Sequence, residues 1–412
     1  MTQAGIVIVG GGHGGSQCAV SLRAEGYDGP LTLVSAESDL PYQRPPLSKA
    51  FLKDPHHQLL PLRPESVYAK QGITLCLGTE VTDIDRAGGA LALADGGTLP
   101  YQGLVLALGA RPRIPNIEGI ELDGVFALRV AADARKIRDR LTTARDVVVI
   151  GGGFIGLEIA ATARLLGRTV TVLEALDRLM ARLLTPVMSA HFLALHRGWG
   201  STVKLGTSVT RIVGETGRAV AVEASHGERI PADLVIIGIG AMPNVELAAA
   251  SGLAVENGIA VDETMMTADP RIAVIGDCAN FQHWQLGRRV RLESVQNAVD
   301  QGKAAAQALL GKGKPFHEVP WFWSDQGDVK LQMAGLSLDA TRHVARGRPE
   351  DGHFSIFHYA GDRLVAVDSV NRAADHMIGR RLIGAGISPP AETVADEGAD
   401  LKHLLPRAPS PH

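Results

Sequence analysis

Two β-branched runs, IVIV at 6–9 and VVVI at 147–150, each end in Gly-x-Gly-x-x-Gly and lead into a helix-forming stretch. Segments beyond about residue 320, such as HFSIFHYA and RLVAVDSV, alternate as strands do. These observations predict an α/β chain: two Rossmann-like dinucleotide-binding domains plus a small α+β C-terminal domain. The length of 412 residues, with 45% hydrophobic and 21% charged residues, exceeds one ordinary core. Its 47 glycines and 22 prolines suit many tight strand–helix connections. A formal net charge of −3 argues against nucleic-acid binding as the main role.

The first unit reads as βαβ. GIVIV at 5–9 is a strand, SQCAVSLRAE at 16–25 is a helix closed by Gly26, and LTLVSA at 31–36 returns as a strand that delivers Glu37. The second unit repeats the order. DVVVI at 146–150 is followed by a helix from Phe154 to Leu166 closed by Gly167, then by TVTVL at 169–173, which delivers Glu174. The likeness continues downstream, where LGTEVTDI at 77–84 answers LGTSVTRI at 205–212. LVLALGARP at 104–112 likewise answers LVIIGIGAMP at 234–243. The period is roughly 130–140 residues, the mark of an internal repeat.

In each copy a strand precedes the glycines, a helix follows, and an acid lies about 20 residues on. Gly10 and Gly151 make the tight turn, Gly12 and Gly153 let backbone N–H groups approach a pyrophosphate, and Gly15 and Gly156 let helix and strand pack closely. The anion sits at a helix N-terminus, and Glu37 or Glu174 accepts ribose hydroxyls. Two dinucleotides are therefore expected. A third element, TADPRIAVIGDCAN at 267–280, places a strand before Gly276-Asp277 and must join one of the two sheets. Asp277 can take bonds from a ribityl chain, or it is a turn residue or helix cap. The helix within 291–311 could turn its N-terminus toward a flavin's N1–C2=O edge.

Cys18, Cys76 and Cys278 form no C-x-x-C, so neither a zinc site nor a dithiol redox centre is indicated, and no other metal site is expected. Cys18 reads as a buried structural thiol. No disulfide framework, signal peptide or long apolar run is evident, which points to the cytoplasm. His56-His57 reads as exposed loop, and LPRAPSPH as a frayed tail.

The two turns, PYQRPPLSK at 41–49, the Gly-Asp element, ESVQNA at 293–298 and PWFWSDQ at 320–326 occur in one order. Together they resemble the putidaredoxin reductase family, the NADH-dependent ferredoxin reductases that serve cytochrome P450 and ring-hydroxylating dioxygenase systems. The resemblance covers nearly the whole chain. It implies a glutathione-reductase type of fold, with an FAD-binding domain at 1–110 and 241–319, an NAD-binding domain at 111–240, a C-terminal domain at 320–405 and a tail at 406–412. It implies FAD on the first turn, with Gly10, Gly12, His13, Gly14, Gly15, Glu37, Arg44, Pro46, Lys49, Val81, Arg129, Gly276, Asp277, Glu293, Ser294 and Val295. NADH falls to the second turn, with Gly151, Gly153, Phe154, Ile155, Gly156, Glu174, Arg182 and Gly240.

The family's lysine–glutamate pair near flavin N5 maps to Lys49 and Glu158, and Trp323 maps to the ring's acceptor side. From the residues alone, Lys49 would be a surface lysine of an extended Pro-rich loop. Trp321 and Phe322 read as core packing. Glu174 argues for NAD over NADP, with Arg178 and Arg182 nearby leaving the preference open.

Without a cysteine pair, electrons should leave FAD directly for an external acceptor, implied to be an acidic [2Fe–2S] ferredoxin. Arg288, Arg289, Arg291 and Lys303 are either its docking surface or a solvated face. The alternatives are an NADH oxidase, a quinone or small-molecule reductase, and a non-enzymatic redox sensor like apoptosis-inducing factor.

Overall fold

The computed structural model describes residues 4–405, so the expected tail at 406–412 lies outside the described residues. The chain divides into two compact units. The first runs to Gln43 and takes in Leu59–Arg111 and Met242–Glu318; the second holds Arg44–Gln58, Pro112–Ala241 and the chain from Val319 on.

In the first unit, parallel strands lie in the order Ile73–Leu77, Leu31–Ser35, Gly5–Val9, Thr98–Leu106. Ile272–Val274, the strand the sequence left without a home, pairs with Thr98–Leu106 in the register Ile272↔Leu104. Ala90–Leu93 and Val81–Asp85 extend the sheet as an antiparallel meander. Ile8, Leu33, Leu104 and Leu106 are fully buried, as near-continuous apolar strands require when both faces are covered. The first helix spans His13–Ala24, starting at His13 rather than Ser16 because the glycine turn itself forms its first turn. Helix Val295–Leu309 packs closely on it: a Cβ on Gly302 would lie 2.7 Å from the Gly14 carbonyl oxygen.

The second unit repeats the central order with Thr202–Lys204, Thr169–Leu173, Asp146–Ile150 and Leu234–Ile237, all parallel. Its fifth parallel strand, Val125–Ala127, comes from upstream in the chain. Helix Phe154–Leu165 follows the second glycine turn. Beyond residue 320 a five-stranded antiparallel sheet runs Trp321–Gln326, Val329–Gly335, Arg363–Val370, His353–Ala360, Arg342–Arg348. Helix Ala373–Gly384 packs on it through Ile378, Leu382 and Ile383, which meet Phe357 and Val367.

Candidate functional site: two glycine cradles and a lysine–glutamate pair

In the first cradle Gly10 has φ +121°, and a Cβ there would sit 2.2 Å from the Ala107 carbonyl oxygen. A Cβ on Gly15 would lie 2.0 Å from the Gly10 oxygen, so the third glycine is needed for the helix to meet the strand end. Gly12 faces open space and caps the His13–Ala24 helix with no side-chain hydrogen bond and no acid in the first turn. A helix N-terminus without a capping side chain or acid turns its positive dipole end to an anion. Glu37 stands just past the Leu31–Ser35 strand and accepts the Tyr42 hydroxyl.

The second cradle copies the first. Gly151 has φ +104° with the Gly238 oxygen 2.4 Å from its would-be Cβ, and a Cβ on Gly156 would lie 2.6 Å from the Gly151 oxygen. Gly153 caps the Phe154–Leu165 helix with neither side-chain cap nor acid. Glu174 is fixed by two backbone donors, accepting Gly152 N–H at 2.6 Å and Leu176 N–H at 2.8 Å. Arg178 donates to the carbonyls of Leu184 and Ala181 and to Ser189 Oγ, so it braces its own loop. Arg182 is exposed, with its guanidinium 3.0 Å from a Cβ placed on Gly240. Ile155 is exposed, and the Phe154 ring packs on Phe322 at 4.8 Å between centroids.

Lys49 is not on an extended loop. PPLS at Pro45–Ser48 is a short 3-10 turn, and Ala50–Lys53 is one helical turn. The Lys49 ammonium lies 2.6 Å from Glu158 Oε2, with its side chain 21% exposed and that of Glu158 5%. It also donates to the Pro45 carbonyl at 3.1 Å. The carboxylate takes two hydroxyls as well, Ser48 Oγ on Oε2 at 2.5 Å and Ser324 Oγ on Oε1 at 2.7 Å. Thr162, one helical turn beyond Glu158, donates to the Ser48 carbonyl at 3.0 Å and ties the turn to the helix. A buried carboxylate is tolerable when every lone pair in reach has such a donor.

The strand Trp321–Gln326 sorts its side chains by the period of two. Trp321 and Trp323 share one face, their rings 5.4 Å apart. Phe322, Ser324 and Gln326 share the other and meet Phe154, Glu158 and His196.

The remaining candidates are spread over both units. Val81 begins its strand, Gly276-Asp277 forms a 3-10 turn after Ile272–Val274, and Gly276 N–H donates to Gln301 Oε1. Ser294 caps the Val295–Leu309 helix by accepting Asn297 N–H at 3.1 Å. Arg44 donates to the Arg129 carbonyl in the second unit, and Arg129 N–H to Asp133. Cys18 and Cys278 are fully buried, and burial pushes their thiols up to about 12 and about 11.

The arginine run does not form one surface. Arg288 and Arg289 are exposed, and Arg289 also donates to the carbonyls of Val261 and Asn280. Arg291 is a correction to the expected docking set: its side chain is only 11% exposed, because it pairs with Glu293 and donates to the Asp277 carbonyl. Lys303 is exposed but pairs with Asp300 at 2.8 Å.

A family model described as pyridine nucleotide-disulphide oxidoreductase matches residues 4–302, and one described as reductase C-terminal matches 321–405. The chain belongs to the pyridine nucleotide-disulphide oxidoreductase family. It is 46% identical to rhodocoxin reductase of Rhodococcus erythropolis over 99% of this chain and 96% of that one. Among solved structures, the ferredoxin reductase for the CYP199A2 system of Rhodopseudomonas palustris superposes with a TM-score of 0.95 at 45% identity, covering 98% of this chain and 100% of that one. The covalent putidaredoxin reductase–putidaredoxin complex follows with 0.94 and 41%, covering 98% of both chains.

Family membership makes FAD and NAD(H) the cofactors. The residues fit both groups, since each cradle pairs a helix N-terminus without a side-chain cap with a first and a third glycine that leave no room for a side chain. The fold expected from the sequence, two dinucleotide-binding domains of glutathione-reductase type and a C-terminal domain, is the fold of these reductases. Sequence reasoning missed Ser48, Ser324, Gln326 and His196. The signal for two of them was present in WFWSDQ, where alternation puts Phe322, Ser324 and Gln326 together.

Proposed function

We propose that this chain is an NADH:ferredoxin oxidoreductase whose first cradle holds FAD and whose second holds NADH. It would serve a [2Fe–2S] ferredoxin that feeds a cytochrome P450 or a ring-hydroxylating dioxygenase. The observation that carries this reading is the pairing of two glycine cradles without side-chain caps with three free cysteines and no C-x-x-C. With the two thiols nearest the cofactor-binding motifs buried and held protonated, electrons have an external acceptor as their exit. Its relatives by name reduce rhodocoxin and putidaredoxin, in keeping with that exit. The domain boundaries at 1–110 with 241–319, 111–240 and 320–405 belong to the same proposal, as does a cytoplasmic site of action, which suits three free thiols. Among the described residues no helix is long and apolar enough to cross a membrane.

Bound FAD supplies the link between a hydride donor and a one-electron acceptor. The protein binds and biases. The His13–Ala24 helix N-terminus would hold the FAD pyrophosphate and Glu37 its ribose; the Phe154–Leu165 helix N-terminus would hold the NADH pyrophosphate and Glu174 its ribose. Glu174, fixed by Gly152 and Leu176, disfavours a 2′-phosphate, and Arg178 is engaged with its own loop. Asp277 would accept from the ribityl chain, and the positive end of the Ser294-capped helix would favour charge on the flavin's carbonyl edge. With FAD bound, Lys49 would supply positive charge that favours electron uptake, Glu158 holds its ammonium in place, and Trp323 would shield the ring from water. Arg44, Pro46, Val81, Arg129, Gly276, Glu293, Phe154, Ile155, Arg182 and Gly240 keep their proposed places as cofactor contacts. Arg288, Arg289 and Lys303 form the proposed docking face for an acidic ferredoxin.

Steady-state reduction of cytochrome c tests the reading. NADH and the yellow protein should reduce it rapidly only when a [2Fe–2S] ferredoxin is present. Equal rates without ferredoxin would indicate an oxidase or small-molecule reductase. A long-lived NADH complex with negligible turnover would indicate a redox sensor.

A further inference from the structure

Behind the Lys49–Glu158 pair lies a row of buried polar side chains that cofactor binding does not explain. Glu158 Oε1 accepts from Ser324 Oγ at 2.7 Å, Ser324 Oγ lies 3.3 Å from Gln326 Nε2, and Gln326 Oε1 lies 2.9 Å from His196 Nε2. Ser324, Gln326 and His196 are all fully buried. Gln326 Nε2 also reaches Met180 Sδ at 3.8 Å.

The direction of these bonds is determined by the two ends. Glu158, paired with the Lys49 ammonium, is an acceptor only. Burial lowers the His196 pKa against the opposing pull of Gln326, so the ring is neutral at neutral pH. Among the described residues its Nδ1 meets no hydrogen-bond partner while Nε2 faces the Gln326 carbonyl oxygen, so Nε2 carries the single proton and donates to Gln326 Oε1. Gln326 must then offer its amide N–H to Ser324 Oγ, which leaves the one Ser324 proton for Glu158. Every donor points toward the carboxylate.

We propose that Ser324, oriented by Gln326 and His196, is a positioning residue for the reductase reaction. It clamps Oε1 of Glu158 so that Oε2 is held where it fixes the Lys49 ammonium. The inference rests on the reading of Lys49 as the flavin's cation. It adds that a C-terminal strand, Trp321–Gln326, sets that cation through the serine that follows Trp323.

The test compares Lys49→Met, Ser324→Ala and Ser324→Thr as FAD-loaded full-length proteins. Readouts are the flavin midpoint potential, the limiting rate of flavin reduction by NADH, and the NADH dissociation constant. Lys49→Met should weaken the reduced flavin by tenfold or more; no change would overturn the reading of Lys49 itself. Ser324→Ala should shift the potential in the same direction by a smaller amount and slow limiting reduction roughly five- to tenfold, with NADH affinity within twofold. Ser324→Thr, which keeps the hydroxyl, should recover most of the rate.

If Lys49→Met shifts the potential and Ser324→Ala does not, the positioning role alone is overturned. Gln326→Leu provides the second route, because it keeps the Ser324 hydroxyl and removes its orientation. It should slow reduction less than Ser324→Ala, and wild-type kinetics there would overturn the relay. If Ser324→Ala and Gln326→Leu both lose FAD, the row is a folding staple and the proposal fails.

Discussion

Gly156→Ala isolates the steric demand of the second cradle. The new Cβ would sit 2.6 Å from the Gly151 carbonyl oxygen and 3.0 Å from Val149 Cγ1. An ordinary C···O approach is about 3.3 Å, so the helix must back off its strand by about 0.7 Å. Alanine is otherwise welcome in the first turn of a helix, so the clash is the whole perturbation. Overpacking of this kind costs about 1–3 kcal/mol. Taken from the nucleotide-bound state, where the N–H groups must converge on one pyrophosphate, that is roughly a five- to 150-fold loss of NADH affinity.

Stopped-flow reduction at graded NADH concentrations reads the loss as a raised half-saturation point. FAD content and the visible flavin spectrum should stay at wild-type levels. Unchanged NADH saturation would refute the cradle's role, and loss of FAD instead would show the two cradles assigned the wrong way round.

Gly15→Ala is the mirror test, with its Cβ 2.0 Å from the Gly10 oxygen, and should yield colourless protein that takes up little FAD by absorbance. Glu174→Ala removes the acceptor for Gly152 and Leu176 N–H as well as the ribose contact. Loss of charge-assisted bonds worth about 1.5–3 kcal/mol should weaken NADH at least tenfold in the same titration. Burial lowers the His283 pKa to about 4. The unfolded state therefore binds more protons between pH 6.5 and 4, and folding stability falls as pH drops through that window. Between pH 7 and 5 the loss from this group is about 2 kcal/mol, and urea midpoints should show it shrinking in His283→Gln. Ferredoxin reduction should slow as salt rises, and Arg288→Glu with Arg289→Glu should flatten that dependence in kcat/KM measurements.

The cradles were legible because their information is local: three glycines, one strand, one helix and one acid within a few dozen residues. The outer strands were not. Ile272–Val274 crosses back to the first sheet and Val125–Ala127 joins the second from upstream, and only the packed sheet chooses their partners. Lys49 reads as exposed by composition, yet the 3-10 turn through Pro45–Ser48 carries it to a buried carboxylate. Arg291 reads as part of one basic run, yet its side chain turns inward to Glu293. His196, Ser324 and Gln326 meet only after the C-terminal sheet has packed, so nothing in their own neighbourhoods announces the relay.

Anaerobic titration of the yellow protein with NADH bears most directly on the proposal that one FAD and one nicotinamide site work without a second two-electron centre. Flavin absorbance should bleach fully at one NADH per FAD. An endpoint of two NADH per FAD would reveal a hidden thiol couple, and failure to bleach would break the link between the two cradles.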